Sequence, residues 1–220
     1  IFVNEKQFND AQDFEAYPRN IGDDYNFCEN HKVDIIFQPS TEEIYSKKHK
    51  SIKNSYFQNI LCDQYRPGHF DGVVTVLNQL FGIIESDKVY FGEKDFQQLR
   101  IVESLINDHF PNLKLVPVPT VRSNEGIALS SRNSKLSKKQ MADFISFQKE
   151  VIKFISLLNK KIDLTEANKK AEEFIKAYEK FDYFEFRNTS NLSLEGSLAD
   201  SRLFYAIYKG SVRLIDNLEL

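Results

Sequence analysis

The sequence predicts an α/β protein: a Rossmann-like parallel sheet followed by a second, smaller α+β domain. Three observations carry that expectation. Apolar strand-like runs alternate with helical periodicity through the first 120 residues, joined by short connections. A strand, a Gly-containing turn and a helix start follow one another at Tyr90-Phe91-Gly92-Glu93-Lys94-Asp95-Phe96-Gln97-Gln98-Leu99. Beyond Arg122 the pattern changes to two long helices and then alternating strands. The boundary falls near residue 120, giving domains over 1–120 and 121–220.

The elements follow in order. Ile1, Phe2 and Val3 read as the end of a buried strand. Residues 4–19 are polar, with Pro18 breaking any helix, and read as a long loop. Residues 21–31 fit a helix with Ile21, Tyr25 and Cys28 on one side. The run 33–37 is continuously apolar but for Asp34 and is closed by Pro39, as in a parallel strand buried on both faces. Ser40 or Thr41 caps a short helical turn with Glu43 beyond it. Residues 46–55 are basic and polar, a mobile surface flap.

The turn Arg66-Pro67-Gly68-His69-Phe70-Asp71-Gly72 feeds a helix over 73–84, whose inward face is Val73, Val76, Leu77, Leu80 and Ile84. A strand over 89–91, a helix over 96–110 and a strand over 113–116 come next, with Pro117 and Pro119 ending the last. Ser137 caps a helix over 138–159, and Thr165 caps a second over 162–178. Residues 183–187 and 203–208 read as strands, and Lys209-Gly210 turns into a third over 212–215.

Composition excludes several classes. A formal charge of -3 supplies no field that would gather nucleic acid. No apolar run approaches membrane-spanning length. The 19 Phe and 10 Tyr are assigned to core packing, because base stacking needs a basic surface beside exposed rings. The two cysteines, Cys28 and Cys62, lack metal-ligand spacing and read as reduced and buried, which fits the cytoplasm.

Two clusters carry chemistry. In the first, Gly92 lets the backbone turn and approach a ligand, and the amides that follow point at anions from a helix start. Lys94 adds a movable charge suited to phosphate. Asp95 can cap the helix, accept a ligand hydroxyl or orient Lys94, and Gln98 lies three residues on, on the same side. In the second, Gly126-Ile127-Ala128-Leu129-Ser130-Ser131-Arg132-Asn133, the hydroxyls and the guanidinium match phosphate oxygens. Asn4 and Gln7 are neutral amides just past a strand end, able to hold a carboxylate or to cap the loop. His69 either donates to the same site or is structural, and Asp24 either assists a Mg²⁺ ion or lies on a solvated helix face. Together these point to a nucleotide enzyme handling phosphate and a small carboxylate.

At these residues the sequence resembles the pantoate–β-alanine ligases (pantothenate synthetases). The matching segments are Ile1-Phe2-Val3-Asn4 with Gln7-Phe8, Asp13-Phe14 with Tyr17-Pro18-Arg19, and the run from Arg66 to Gly72. They continue with the run from Tyr90 to Leu99, Pro119-Thr120-Val121-Arg122, the run from Gly126 to Asn133, and Arg213-Leu214-Ile215-Asp216-Asn217. Their consistent order along almost the whole chain is more specific than any one motif.

The resemblance implies ligation of pantoate to β-alanine at the expense of ATP, through a pantoyl adenylate, with release of AMP and pyrophosphate. It implies that Gln7 contacts pantoate and β-alanine and that Gln98 contacts pantoate; Asn4 and His69, from their own positions, are placed in the same substrate-binding group. Gly92, Glu93, Lys94 and Asp95 would line the ATP site, with Lys94 on the phosphates. Val121 would hold the adenine side, while Leu129, Ser130, Ser131 and Arg132 close over the phosphates from the smaller domain. Lys94, Ser130, Ser131 and Arg132 are the expected catalytic groups, Asp24 matches a Mg²⁺-associated position, and a homodimer is expected. Another adenylating enzyme of the nucleotidyltransferase fold, or an inactive form, is the alternative. The sequence departs from the family in two places. The His-containing Met-Gly-x-Leu-His-x-Gly-His-type segment upstream of Val3 does not occur in it, so the nucleotide site is expected to be incomplete. Glu5 follows Asn4 where the family usually places Pro.

Overall fold

Strand β1, Lys88–Gly92, pairs with β2, Lys114–Val118, in a two-stranded parallel sheet. The crossover between them contains a short 3-10 helix, Glu93–Asp95, and α6, Phe96–His109. This computed structural model describes residues 1–9, 11–15, 17, 19–45, 51–178 and 180–220. Before the crossover come a 3-10 turn at Glu5–Gln7, α1 (Ala11–Glu15), α2 (Ile21–Asn30), α3 (Thr41–Ile44), α4 (Leu61–Tyr65) and α5 (His69–Ile84). After it come a 3-10 helix at Ser131–Lys135, α7 (Lys138–Leu157), α8 (Leu164–Ile175) and strands β3 (Phe181–Asn188), β4 (Ser201–Lys209) and β5 (Val212–Glu219). The three strands form a separate antiparallel sheet in the order β3-β4-β5. The expected fold class, a parallel sheet plus an α+β part with its own antiparallel sheet, is therefore what the chain adopts.

By internal contacts the chain divides into two compact units. The first joins Ile1–Val89 with Ile101–Lys114, and the second joins Tyr90–Arg100 with Leu115–Leu220.

The first unit is built on α5. Phe70, Val73, Val74 and Val76 are buried there, and Phe81 meets Phe110 edge-on at 5.4 Å. Gly72 seats the turn at Glu5–Gln7 against this helix. A Cβ at position 72 would lie 2.2 Å from the Lys6 carbonyl oxygen and 2.7 Å from the Gln7 nitrogen, so no larger residue fits without a shift of backbone.

The second unit packs α7 and α8 on one face of the antiparallel sheet. Alternation along the strands sends Phe184, Phe186, Leu203, Tyr205, Ile207 and Leu214 into one core with Phe144, Phe147, Val151, Leu164 and Ala167. Here many of the aromatic residues are consumed as core, as expected: Phe147 meets Tyr205 edge-on at 5.4 Å, and Phe154 stacks on Phe174 at 4.5 Å. On the opposite face Phe204 packs against Phe96, 5.8 Å between ring centres. Asn168 of α8 closes the free edge of β3: its amide nitrogen donates to the Phe186 carbonyl and its oxygen accepts the Phe186 N–H, at 3.0 and 2.7 Å.

Several local expectations are met. Ser40 and Ser137 are N-caps, each in a reciprocal capping box with Glu43 or Gln140. Others are corrected. Residues 1–3 and 33–37 lie in no strand. The Ile1 ammonium donates to the Phe37 carbonyl, but no ladder forms among the described residues, and Ile35 is 84 % exposed. An apolar run supplies the side chains of a buried strand; only a neighbouring strand supplies the pairing. Residues 4–19 contain helical turns at Glu5–Gln7 and Ala11–Glu15 rather than one open loop, while the breaker Pro18 lies outside the described residues. Helix α2 forms, yet the side given by Ile21 and Tyr25 is exposed. Residues 46–50 of the expected flap lie outside the described residues, but its remainder is anchored. The Thr75 hydroxyl accepts the Ile52 N–H and donates to the Ile52 carbonyl, both at 3.0 Å, and Asp71 accepts the Asn54 N–H at 2.7 Å. Asp163, not Thr165, caps α8, accepting the Glu166 N–H at 2.8 Å. Pro117 lies inside β2, tolerated because a strand of a two-stranded sheet has one side unpaired.

Candidate active site

The sequence-predicted site residues fall into two groups, one in each compact unit. In the first unit, Asn4, Gln7 and His69 form one hydrogen-bonded cluster. Asn4 is buried and caps the turn at Glu5–Gln7: its oxygen accepts from the Lys6 N–H at 3.2 Å and from the Tyr45 hydroxyl at 2.6 Å. Its amide nitrogen donates to the Gly72 carbonyl at 3.1 Å and to Gln7 Oε1 at 3.3 Å. Every polar valence of this side chain is used inside the protein. Burial pushes the Tyr45 hydroxyl up to about 12, so it stays a neutral donor to Asn4.

His69 is likewise committed. Nδ1 lies 2.6 Å from the Gln7 carbonyl, and Nε2 lies 3.1 Å from Arg66 Nη1. Because a carbonyl only accepts and a guanidinium only donates, the ring is neutral with its proton on Nδ1. Arg66 Nη2 also donates to the Gln7 carbonyl, at 3.2 Å. The geometry gives His69 the structural role, fixing the backbone of Gln7. The Gln7 side chain is half-buried, and its Nε2 has no partner among the described residues.

Asp24 is not part of this cluster. It is exposed on α2 and lines a cleft of about 350 Å³ with Ile1, Phe2, Val3, Tyr17, Arg19 and Gln38. Among the described residues no group of three or more His, Cys, Asp or Glu side chains could enclose a metal ion. A lone carboxylate still suits Mg²⁺, which keeps waters and shares phosphate oxygens rather than demanding an all-protein cage.

In the second unit, Gly92, Glu93, Lys94, Asp95 and Gln98 occupy the strand end, the 3-10 turn and the first turn of α6. Lys94 Nζ is 3.5 Å from Asp95 Oδ1. Gly92 corrects an expectation. Its φ of -71° and ψ of 134° are open to any residue, and nothing lies within 4 Å of where a Cβ would stand. The chain does not need glycine there to turn; only the close approach of a ligand would.

The second phosphate-suited tract forms a tight hairpin. Arg122 bridges Ala128, and the Leu129 N–H donates to the Val121 carbonyl at 2.9 Å. Val121 and Leu129 are thus neighbours, 65 % and 54 % exposed, an apolar pair open to a flat ring. Ser130 caps the helix at Ser131–Lys135 by accepting the Arg132 N–H at 3.2 Å, and Asn133 donates to the Ala128 carbonyl at 3.0 Å. Both short helices, the one carrying Lys94 and the one carrying Ser131 and Arg132, pack on β5.

The groups that hold these segments together were not assigned roles from sequence. Arg122 grips buried Asp216 with two bonds, Nη1 to Oδ2 at 2.6 Å and Nη2 to Oδ1 at 3.0 Å, and also donates to the Gly126 and Asn217 carbonyls. Burial raises the Asp216 carboxyl above its ordinary range, opposed by Arg122. Burial alone would lower Arg122, but its bonds to Asp216 outweigh this and raise it. Arg202 donates to Asn217 Oδ1 at 2.8 Å, pairs with Glu93 at 3.3 Å and with Glu219, and lies over the Phe96 ring. Their signal in the sequence was polarity in the wrong place: Asp216-Asn217 interrupts an apolar strand at two buried positions.

The model of the family described as pantoate-beta-alanine ligase matches residues 1–219. The chain belongs to this family. The pantothenate synthetases of Coprothermobacter proteolyticus and Aquifex aeolicus are 38% and 36% identical to it, over 99% of this chain and 79% of theirs. The crystal structure of pantothenate synthetase from Thermus thermophilus superposes with a TM-score of 0.85 at 32% identity, covering 100% of this chain and 81% of that one. The pantoate–β-alanine ligase of Francisella tularensis, solved with beta-gamma ATP and β-alanine, gives a TM-score of 0.79 at 32% identity, over 100% of this chain and 77% of that one. The protein is accordingly an enzyme of the ligase class, and among its described residues no helix is long and apolar enough to cross a membrane.

Proposed function

We propose that this protein joins pantoate to β-alanine through a pantoyl adenylate, consuming ATP and releasing AMP and pyrophosphate. The observation that carries the reading is the seating of the Lys94 turn and the Ser131–Lys135 helix on the same strand, β5. That strand gathers two cations, two hydroxyls and helix-start amides in one compact unit. Family membership and the Francisella complex support ATP and β-alanine as ligands.

In this reading the pantoate carboxylate attacks the α-phosphorus, so no protein nucleophile is required. Lys94 and Arg132 neutralise the charge that gathers on the phosphates, and Ser130 and Ser131 donate to their oxygens. Glu93 and Asp95 line the ATP site with Asp95 beside Lys94, Gly92 lets the nucleotide approach, and Val121 with Leu129 receives the adenine. Gln7 and Gln98 orient pantoate, Gln7 also meets β-alanine, and Asn4 and His69 act through Gln7. Asp24 would hold Mg²⁺, which supplies charge neutralisation on ATP when bound. The assignment of 1–120 to nucleotide and pantoate binding and of 121–220 to closure over ATP belongs to this proposal. So do a homodimer and a cytoplasmic location, the latter supported by the free thiols of Cys28 and Cys62.

The test is AMP release from ATP by the purified protein, with each substrate omitted in turn. AMP that requires both pantoate and β-alanine, with pantothenate formed in equal amount, is the expected result. AMP formed with some other acceptor would make it a different adenylating enzyme, and no AMP under any condition would favour the inactive form.

A further inference from the structure

We propose that Asn217 is a positioning residue for Lys94, and that it sets the distance between the phosphate-binding lysine and the adenine-side hairpin. The inference rests on the reading of Lys94 as an ATP-phosphate ligand and deepens it. Asn217 lies on β5 and is 2 % exposed. Its amide nitrogen donates to two successive carbonyls, Glu93 at 2.8 Å and Lys94 at 3.0 Å. Those carbonyls belong to the turn that opens toward α6, where backbone tilt decides where the Lys94 side chain and the following amides point.

The same residue reaches the other half of the site. Its backbone carbonyl accepts Arg122 Nη2 at 2.9 Å, and Arg122 is the residue that bridges Ala128 across the hairpin bearing Val121 and Leu129. Asn217 Oδ1 is itself fixed by Arg202, which also pairs with Glu93, so the amide cannot flip without losing both donors' targets. An amide is the side chain that suits this place: it must donate twice to carbonyls and accept once from a guanidinium. Aspartate has the same shape and keeps the Arg202 contact, but it presents an acceptor to two acceptors.

The experiment is a double-mutant cycle on the full chain with Asn217→Asp and Lys94→Ala, reading kcat and KM for ATP together with the thermal midpoint. Asn217→Asp alone is expected to lower kcat/KM for ATP by about tenfold or more, the scale of a misplaced phosphate contact. On the Lys94→Ala background its further effect should fall below about twofold, because the group it positions is gone. Any change in thermal midpoint should be the same on both backgrounds. If Asn217→Asp does not fold, Asn217→Ser enters the same cycle. Multiplying effects on kcat/KM would show that Asn217 serves the fold at large and would overturn the positioning role alone. A Lys94→Ala variant with parental kinetics for ATP would overturn the ATP reading of Lys94 and this inference with it.

Discussion

The two groups of candidate substrate residues use their hydrogen bonds in opposite ways. In the first unit the candidate side chains themselves are spent: Asn4 has all its donors and acceptors engaged, and both ring nitrogens of His69 are taken. The amide nitrogen of Gln7 is the group left to meet a ligand. In the second unit the hydrogen bonds of other residues, Arg122, Asp216, Asn217 and Arg202, hold the backbones of the segments that carry the candidates. The first group is a seat for one amide, whereas the second is a scaffold that presents many groups at once. A multiply charged nucleotide needs several positioned donors, while a small carboxylate can be held by few.

The largest effect that would break this contrast is loss of the scaffold's ion pair. Arg122→Ala should destabilise the protein by about 3 kcal/mol or more, because it leaves a buried carboxylate without its partner. The pH dependence has a definite sign. The Asp216 carboxyl is already raised by burial in the folded protein. Its contribution is therefore fully present below the ordinary carboxylate pKa and is lost as pH rises through the raised value. Without Arg122 that value rises further, so the deficit of the variant should be largest near neutrality and shrink on acidification. Denaturant midpoints across that range would measure it, and a deficit independent of pH would mean that Asp216 does not depend on Arg122.

A smaller effect is expected in the first unit. Gly72→Ala sets a methyl 2.2 Å from the Lys6 carbonyl oxygen. Alanine in a helix interior would ordinarily stabilise, yet here the forced shift should cost a net of about 1–3 kcal/mol. It should also raise KM for pantoate, because the turn that moves carries Gln7. Calorimetry and steady-state kinetics on one variant would test both, and a stabilised protein with parental kinetics would remove the seat from the comparison.

The smallest effect on stability sharpens the contrast most. Gly92→Ala should leave stability within about 0.5 kcal/mol of the parent, since its backbone is extended and the space beside it is open. KM for ATP should nonetheless rise several-fold if the nucleotide packs against that position. Unchanged kinetics would show that no ligand approaches Gly92.

Local chemistry was legible wherever the cause lay within a few residues. The capping boxes at Ser40 and Ser137, the long helix α7 and the strand–turn–helix at Lys94 all follow from neighbours along the chain. Residues whose role depends on distant partners were misread or passed over. The stretch around Ile52 and Asn54 reads as mobile, but its anchors, Thr75 and Asp71, are on α5. Gly92 looked conformational and is not, whereas Gly72 looked like part of a rigid turn and proved to be the point of closest approach between two segments.

By itself the sequence determined the α/β class, the order of most elements and the family, because periodicity, caps and ordered motifs are properties of the chain read along its length. Only the tertiary structure decided which polar groups are spent and which remain for a ligand. Asp216 and Asn217 are adjacent in sequence and face opposite sides of the sheet, one toward Tyr205 and the other toward Phe204. Their partners at Arg122, Glu93 and Lys94 lie about a hundred residues away. Hydrogen bonding at that separation exists only once the sheet has formed, and it is there that the proposed ATP site acquires its geometry.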